Sequence, residues 1–301
     1  MSNAQQQAQT ILVTGANKGI GYEAVRHLSE VLPHSTILLG TRSVRNGDEA
    51  IAKMRSSSTA AAHDYANIKV LQLDITDAAS LAAAVKTVET DLGGRLDVLL
   101  HNSGIAQVDG VANHAGVLEV NVYGAIETVH AFLPLLRRSS NPKLVLVSSE
   151  VGAWYMHTLS SSSPALHAAL DDATANDEES VRKMAQDWID FAIQGNKEPR
   201  WTWPDAESRM TGAYCTSKAL VSAWTRNFAL RNPDVKVAIV CPGYCATELN
   251  NFSGPRSAAQ GGESVAWPVL HDDFESGRFY RDGKLRPFTS AMPDDFATST
   301  D

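Results

Sequence analysis

The sequence predicts an α/β fold built on one doubly wound, parallel sheet. Short apolar runs alternate along the chain with segments whose apolar residues recur at about the 3.6-residue period of a helix. Parallel strands need crossover helices of this kind, and helices on both faces of the sheet leave the strands uniformly apolar. The chain has 301 residues, of which 44% are apolar and 20% charged, which is enough for a sizeable core. We therefore expect a single domain at residues 10–290, with disordered tails at 1–9 and 293–301.

Each predicted strand is a short β-branched or leucine-rich run that stops at a turn-forming or polar residue. The predicted strands are 10–14, 36–40, 68–73, 97–101, 143–147 and 235–240. Helices are expected between them because apolar residues there share one face, or because the segment is rich in alanine. The predicted helices are 19–32, 48–55, 78–92, 116–138 and 212–230, with a Ser/Ala loop at 56–62. Right-handed crossovers then place these helices on both faces of the sheet.

A segment at residues 151–213 interrupts the alternation. It contains ten acidic and five basic residues and so holds most of the net charge of −8. Asn176, followed by Glu179, resembles a helix start. Four large apolar residues then recur at helical spacing, which predicts an amphipathic helix in a structured insertion. They are Val181, Met184, Trp188 and Phe191.

Composition argues against several classes of function. The net charge is negative and no Lys/Arg cluster occurs, which argues against a nucleic-acid partner. No apolar run reaches 18 residues and the first residues lack the pattern of a secretory signal, so we expect a cytoplasmic protein without a membrane span. The three cysteines are Cys215, Cys241 and Cys245. Without a CxxC pair they favour a reducing compartment and argue against a metal site.

A glycine-rich loop joins the first strand to the first helix. Gly15, Gly19 and Gly21 fall in the sequence TGANKGIG at 14–21, with the spacing GxxxGxG. Residues without a Cβ let the backbone approach a pyrophosphate, and the helix N-terminus then receives the phosphates. In this strand–loop–helix context the loop predicts a Rossmann-type dinucleotide site, although a plain turn is the alternative. The expected contacts come from Gly15, Asn17, Lys18, Gly19, Ile20 and Gly21.

The end of the second strand bears on which dinucleotide binds. A carboxylate there would bind the ribose 2′-hydroxyl of NAD, but the sequence has Gly40-Thr41-Arg42, with Arg45 close behind. Lys18 of the glycine loop adds a further cation. Because cations replace the acid, a 2′-phosphate is favoured and the predicted cofactor is NADPH/NADP⁺. The alternative is that Arg42 is only solvated.

Tyr214 and Lys218 are four residues apart on a predicted helix, so their side chains share one face. A neighbouring ammonium group stabilises a phenolate and lowers the pKa of the phenol. A phenol tuned in this way can exchange a proton near neutral pH. This pair is common by chance, and it becomes specific only together with the other motifs.

Taken together, the motifs resemble those of the short-chain dehydrogenase/reductase family, over about residues 10–288. They occur in the order typical of that family. The matching pieces are TGANKGIG, Asp74, His101-Asn102-Ser103-Gly104, Asn121, Ser148-Ser149, Tyr214 with Lys218, and Cys241-Pro242-Gly243 followed by Thr247. His101 and Ser103 depart from the usual Asn-Asn-Ala-Gly, and we interpret His101 as a packed residue at the end of a strand.

The resemblance implies four catalytic residues. Tyr214 would donate a proton to the substrate carbonyl oxygen, and Ser149 would hydrogen-bond the same oxygen. Ser149 is preferred to Ser148 because adjacent strand residues point to opposite faces and the second serine of the pair is usually the catalytic one. Lys218 would lower the pKa of Tyr214 and bind the nicotinamide ribose, and Asn121 would hold a water that links Lys218 to solvent.

The same resemblance implies further cofactor contacts. Asp74 would meet the adenine, and Thr247 the nicotinamide carboxamide. The remaining residues that would line the cofactor are Asn102, Gly104, Pro242 and Gly243. The hydride chemistry itself belongs to the cofactor.

The long segment before Tyr214 is similar to that of the monomeric NADPH-dependent carbonyl reductases. Its helix can cover faces that other members use to form tetramers, so a monomer is expected. Because its ends are Ser149 and Tyr214, the segment must pass near the mouth of the site. Aromatic residues nearby could form a substrate wall, with Trp154 and Tyr244 preferred. The others considered are Tyr155, Trp201 and Trp203.

The leading hypothesis is therefore NADPH-dependent reduction of a hydrophobic ketone or aldehyde to an alcohol. The same site could run mainly in the oxidative direction. Two alternatives come from other classes of function. One is a cofactor-binding module with vestigial catalysis, and the other is a reductase fold recruited for a non-redox cyclisation or isomerisation.

Overall fold

The computed structural model describes residues 8–57, 63–106, 114–208 and 210–296. Its strands are β1 (Thr10–Val13), β2 (Thr36–Thr41), β3 (Ile68–Gln72), β4 (Val98–His101), β5 (Lys143–Val147), β6 (Lys236–Val240), β7 (Arg278–Arg281) and β8 (Lys284–Arg286). Its helices are α1 (Gly19–Val31), α2 (Val44–Ser57), α3 (Ala78–Asp91), α4 (His114–Leu118), α5 (Gly124–Leu136), α6 (Glu150–Ser162), α7 (Pro164–Asp171), α8 (Glu178–Ala192), α9 (Ala213–Arg231) and α10 (Ala258–Leu270).

The strands form one sheet in the order β3-β2-β1-β4-β5-β6-β7-β8, and only β8 runs antiparallel to its neighbour. The winding reverses direction between β1 and β4, which confirms the predicted doubly wound sheet. Alternate strand residues enter two cores. Leu12 and Leu99 pack with helices such as α5 and α9 on one face, whereas Ile11 and Val98 pack with α1 and α10 on the other. Ligands of such sheets bind at the carboxyl ends of the strands where the winding reverses.

The hairpin of β7 and β8 is absent from the predicted strands. Its two strands are short, and its turn is Asp282-Gly283, with φ values of 51° and 71°. Positive φ at both central residues is the geometry of a type I′ turn, for which Asp-Gly is a favoured pair. That dipeptide is the signal in the sequence that could have located the hairpin.

The single helix predicted at 116–138 is divided in the structure. Helix α4 leads into a π-helical turn, Glu119–Tyr123, and α5 follows directly. Such turns insert one extra residue into a helix and occur often at functional sites. Here the turn contains Asn121.

The predicted insertion forms three helices, α6, α7 and α8, and its amphipathic stripe packs inward with Trp188 fully buried. The helix start expected at Asn176 is wrong by one residue. The N-cap of α8 is Asp177, whose carboxylate accepts a hydrogen bond from the Ser180 amide at 2.9 Å. Asn176 is buried instead, and its side-chain amide donates to backbone carbonyls at the end of α7.

The expected tails lie only partly within the described residues. At the N-terminal side, the Gln9 carbonyl accepts a hydrogen bond from the Thr36 amide at 2.8 Å. At the C-terminal side, the Phe296 ring lies against the rings of Trp154 and Tyr244. Residues 1–7, 58–62 and 297–301 lie outside the described part, so the disorder of the tails and most of the Ser/Ala loop stay predictions.

Within the described ranges, no helix combines the length and the apolar character needed to cross a bilayer.

Candidate active site

The predicted motifs meet at the carboxyl edge of the sheet. The glycine loop follows β1, Arg42 follows β2, Asn102 follows β4 and Ser149 follows β5. The Pro242-Gly243 segment follows β6. Because the strands are parallel and adjacent, residues far apart in the sequence converge at one cleft.

The glycine loop has a backbone that other residues would not adopt without strain. Gly15 and Gly19 have φ values of 62° and 59°. A Cβ at Gly21 would lie 2.5 Å from Asn102 Nδ2, so the space there admits only glycine. Helix α1 begins at this loop with no side-chain cap on its first-turn amides. An uncapped N-terminus behind a glycine cradle is the arrangement that receives a pyrophosphate.

Asn102 holds the loop in place. Its side-chain amide donates to the carbonyls of Thr14 at 3.0 Å and Gly15 at 3.2 Å. The Thr14 hydroxyl in turn accepts the backbone amides of Asn102 and Ser103. These bonds tie the loop after β1 to the loop after β4, so the shape of the cradle is fixed before any ligand binds.

The cations expected near the second strand do not cluster. Arg42 is exposed, and its positive charge favours the ionised form of Asp74. Burial raises the pKa of Asp74, but hydrogen bonds from Thr76 and the charge of Arg42 outweigh this effect and leave the pKa lowered. Lys18 is directed elsewhere, since its ammonium group lies 2.5 Å from the Glu248 carboxylate. Arg45 pairs with Glu49 of its own helix at 2.8 Å. Of the three predicted cations, Arg42 therefore suits a 2′-phosphate best.

Ser149, Tyr214 and Lys218 lie together. Ser149 caps α6, and its side chain acts on the Tyr214 phenol in the direction that lowers its pKa. Lys218 lies one turn along α9, with its ammonium nitrogen 5.7 Å from the centre of the Tyr214 ring. The ammonium group also donates to the Val147 carbonyl at 3.0 Å, at the end of β5. A serine, a phenol and an ammonium group thus face one point.

Desolvation dominates the electrostatics of this group. Burial raises the pKa of Tyr214 above its usual value, Cys241 and Cys215 add to the rise, and the Ser149 side chain opposes it. The direction is opposite to the one expected from the sequence, in which the nearby ammonium group lowers this pKa. Burial also lowers the pKa of Lys218 to about 8. At neutral pH the phenol therefore holds its proton.

Asn121 is buried in the π-helical turn and is fully engaged. Its side-chain oxygen accepts the Ile105 amide at 2.9 Å, and its nitrogen donates to the Ile105 carbonyl and to Ser217 Oγ. A Cβ added at Gly104 would lie 3.2 Å from the Asn121 oxygen and 3.6 Å from Lys218 Nζ. Gly104 therefore lies next to both the Asn121 side chain and the Lys218 ammonium group.

The two adjacent serines differ in their surroundings. Ser148 is 2% exposed, and its hydroxyl bonds Ser222 Oγ at 2.7 Å and the Lys218 carbonyl at 3.3 Å. Ser149 is less buried, and it is the serine whose side chain influences the pKa of Tyr214. Both serines lie beyond the last residue of β5, and their hydroxyl groups have different neighbours.

The segment after β6 forms the opposite wall of the cleft. Gly243 has a φ of 82°, and a Cβ there would lie 2.6 Å from the Arg256 side chain. Thr247 is buried, and its methyl group would lie 3.7 Å from a Cβ at Gly19. The segment after β6 and the glycine loop thus approach each other across the cleft.

Two residues have supporting contacts that the sequence did not predict. Cys241 Sγ accepts hydrogen bonds from the amides of Glu150 and Gly243, at 3.4 and 3.3 Å, and so joins the loops after β5 and β6. The Glu150 carboxylate lies 2.6 Å from Arg281 of the C-terminal hairpin. Nothing in the local sequence signals either contact, because each joins residues distant along the chain.

His101 is buried at the end of β4, as its interpretation as a packed strand-end residue requires. Burial lowers its pKa to about 3, and the charge of Lys218 acts in the same direction. The imidazole is therefore neutral at physiological pH.

The aromatic residues considered for a substrate wall divide into two groups. Tyr155 and Trp203 are buried, and the Trp203 indole donates to Asp187 of α8 at 2.8 Å. The Trp201 amide bonds the same carboxylate, so this part of the chain is tied to α8. Trp154, Tyr244 and Trp201 are partly exposed. Because Trp201 is tied to α8, Trp154 and Tyr244 suit a substrate wall best of the five residues.

Comparison with known proteins identifies similar chains over most of this length. A model of the short chain dehydrogenase family matches residues 9–177. A (+)-neomenthol dehydrogenase of Capsicum annuum is 31% identical, over 89% of this chain and 94% of its own. A salutaridine reductase of Papaver somniferum is also 31% identical, over 92% of this chain and 95% of its own.

Solved structures agree with these sequence matches. The structure of salutaridine reductase from Papaver somniferum has a TM-score of 0.76 at 29% identity, covering 90% of this chain and 99% of its own. A menthone neomenthol reductase from Mentha piperita has a TM-score of 0.73 at 25% identity, covering 91% and 98%.

Proposed function

This chain belongs to the short-chain dehydrogenase/reductase family, and from that premise we propose that it reduces a hydrophobic ketone or aldehyde to an alcohol with NADPH. The observation that supports this most is the cluster of Ser149, Tyr214 and Lys218 at the carboxyl edge of the sheet, beside the glycine cradle. A protonated phenol next to a hydroxyl group is suited to meet an oxygen that gains negative charge.

The residues that hold the cofactor are those of the cleft. The glycine cradle and the uncapped N-terminus of α1 fit a pyrophosphate, because a Cβ would fill the space at Gly15 and Gly21. When bound, NADPH supplies the hydride for the carbonyl carbon. The proposed contacts are Gly15, Asn17, Lys18, Gly19, Ile20, Gly21, Arg42, Asp74, Asn102, Gly104, Tyr214, Lys218, Pro242, Gly243 and Thr247.

The protein's own part in the reaction is to bind the carbonyl oxygen and protonate it. Ser149 and Tyr214 hydrogen-bond the oxygen, and the Tyr214 hydroxyl transfers its proton as the carbon–oxygen double bond becomes single. Lys218 stabilises the phenolate that is left. A water held at Asn121 would link Lys218 to solvent, and this is the proposed route by which a proton returns to Tyr214.

The proposed substrate is a cyclic or aromatic carbonyl compound. Trp154 and Tyr244, both partly exposed beside the site, are its proposed substrate-binding residues, together with Ser149 and Tyr214. Relatives are named for neomenthol, menthone and salutaridine, and these names support this class of substrate. Consumption of NADPH, followed by absorbance against a panel of ketones and aldehydes, tests the proposal directly. Product formed without loss of NADPH would favour the non-redox alternative instead.

The protein is proposed to act as a monomer. Helix α8 packs on α4 and α9 through the buried Val181 and Trp188, so the insertion covers a face of α9 that would otherwise be open. Sedimentation analysis of the purified protein at several concentrations tests this.

Replacing Ser149 with Ala should lower kcat about a hundredfold, because one of the two donors to the developing alkoxide is lost. Ser148→Ala is the matched control, since Ser148 bonds Ser222 and the Lys218 carbonyl rather than Tyr214. Steady-state kinetics on both variants should show kcat near the wild-type value for Ser148→Ala. A larger loss in Ser148→Ala than in Ser149→Ala would reverse the assignment.

Replacing Arg42 with Ala should raise KM for NADPH by about ten- to a hundredfold, because one charge-assisted hydrogen bond to the 2′-phosphate is lost. The KM for NADH should change little, because NADH has no 2′-phosphate. Arg55→Ala, in the last turn of α2, removes a guanidinium group away from the cleft and is the control. Equal changes in KM for the two cofactors would refute the preference for NADPH.

A further inference from the structure

We propose that the C-terminal segment, residues 288–296, forms the outer wall of the substrate site and that Phe296 sets the size of the hydrophobic group the site accepts. The inference rests on the proposed function, and it adds a specificity-determining residue that none of the motifs contains. It starts from an aromatic cluster in which three distant parts of the chain meet.

The segment is anchored beside helix α6. The ring of Phe288 stacks on Phe279 of β7, with 5.7 Å between ring centres, and the Arg226 guanidinium lies 4.4 Å from the Phe288 ring centre. Two residues on, the Ser290 amide donates to the Ala153 carbonyl at 3.2 Å. These contacts direct the chain along α6 toward the cleft.

At the end of this path, Phe296 lies between two other rings. Its ring centre is 5.2 Å from that of Trp154, in an edge-to-face arrangement, and 6.0 Å from that of Tyr244. Both separations are those of favourable aromatic pairs. Phe296 therefore connects the helix that Ser149 caps to the loop that continues from Pro242-Gly243.

The position of the cluster suits the body of a substrate rather than its carbonyl group. Trp154 is five residues beyond Ser149 on α6, which is a rise of about 7.5 Å along the helix axis. A carbonyl oxygen held by Ser149 and Tyr214 would lie at the start of α6, and the cluster lies further along this helix. A substituent on the far side of a cyclic ketone would span that distance.

The surface that the cluster offers to a ligand is apolar. The Tyr244 hydroxyl is engaged by Ser253 Oγ at 2.6 Å, so the ring rather than the hydroxyl is left to contact a ligand. All three rings are partly exposed. Burying these rings against a hydrophobic substituent removes apolar surface from water, which favours bulky ketones over small ones.

The test compares cyclohexanone with 4-tert-butylcyclohexanone as substrates. In Phe296→Ala, kcat/KM for the bulky ketone should fall about tenfold, mainly through KM, whereas that for cyclohexanone should stay within about twofold. Phe296→Leu keeps most of the apolar bulk and should recover most of the loss. Leu285→Ala truncates another exposed apolar side chain, on β8, and should leave both ketones unaffected.

The binding constant for NADPH, measured by protein fluorescence, should be the same for the wild type and the three variants. An unchanged constant shows that each variant is folded. Equal losses on the two ketones, or no loss on either, overturn the role of Phe296 while the proposed function stands. A wild-type protein that consumes no NADPH with either ketone overturns both.

Discussion

Replacing Tyr214 with Phe is expected to lower kcat about a thousandfold, within the range attributed to a positioned general acid. The variant keeps the ring and loses only the hydroxyl group that donates the proton. Burial raises the pKa of this hydroxyl, so the wild-type group is protonated at neutral pH and ready to donate. The binding constant for NADPH should change by no more than about twofold, because the glycine cradle is untouched.

Tyr280→Phe is the matched control for this substitution. The Tyr280 hydroxyl accepts the Glu275 amide at 2.9 Å and donates to the Glu275 carbonyl, on the opposite face of the sheet from Tyr214. Its loss should cost about 1 kcal/mol of unfolding free energy and leave kcat unchanged. Single-turnover measurements on both variants separate the chemical step from cofactor binding. If Tyr214→Phe keeps more than a tenth of the wild-type rate, the proton comes from another group.

Replacing Lys218 with Met should abolish activity and yet stabilise the protein. Lys218 is 6% exposed, and burial lowers its pKa from 10.5 to about 8. This shift corresponds to a cost on the order of 3 kcal/mol for keeping the side chain charged in the folded state. The lost bond to the Val147 carbonyl offsets about 1 kcal/mol of the gain. The net increase in unfolding free energy should be about 2 kcal/mol near pH 7, measured with urea in the absence of cofactor.

The difference in unfolding free energy between Lys218→Met and the wild type should become smaller as the pH rises. Below pH 8 Lys218 is charged in both the folded and the unfolded protein, so the full cost is present in the wild type. Between pH 8 and 10.5 the folded protein gives up this proton while the unfolded protein keeps it, and wild-type stability rises relative to the variant. The advantage of Lys218→Met should therefore shrink as the pH rises through this interval.

Lys143 is a second buried lysine, and its replacement serves as the control for Lys218→Met. It is 2% exposed, but its ammonium group donates to the carbonyls of Pro268, Val269 and His271 and lies 2.9 Å from the Asp272 carboxylate. Lys143→Met leaves these acceptors without their donor and should lower the unfolding free energy by about 3 kcal/mol. If Lys218→Met were destabilised to the same degree, the desolvation cost assigned to Lys218 would be wrong.

The sequence predicted the sheet and the motifs at its edge because both depend on local patterns. The apolar runs located six of the eight strands found in the described residues, and the glycine spacing located the cradle before α1. Tyr214 and Lys218 were placed on one face of a helix by their spacing alone. The π-helical turn at Asn121 was not predicted, because apolar periodicity does not distinguish it from a regular helix.

The features that the sequence could not predict are contacts between distant residues and the effects of burial. Lys18 was expected beside Arg42, but it pairs with Glu248, 230 positions away. The expected lowering of the Tyr214 pKa was also wrong. The pKa is raised, because the cost of desolvation depends on how tightly the cleft closes around the phenol. Spacing along a helix identifies which charged groups are near one another, but it does not show how far those groups are shielded from solvent.

The ion pair between Glu150 and Arg281 affects the stage of synthesis at which the protein can become catalytically active. Glu150 is the first residue after Ser149, whereas Arg281 belongs to the β7–β8 hairpin near the end of the chain. A ribosome releases the chain from its N-terminus onward, so the strands from β1 to β5 emerge long before the hairpin does. The nascent chain can thus form its nucleotide cradle early, while the start of α6 gains its charged partner only once the hairpin has emerged. A truncated product that lacks the hairpin should accordingly bind the dinucleotide better than it turns over substrate.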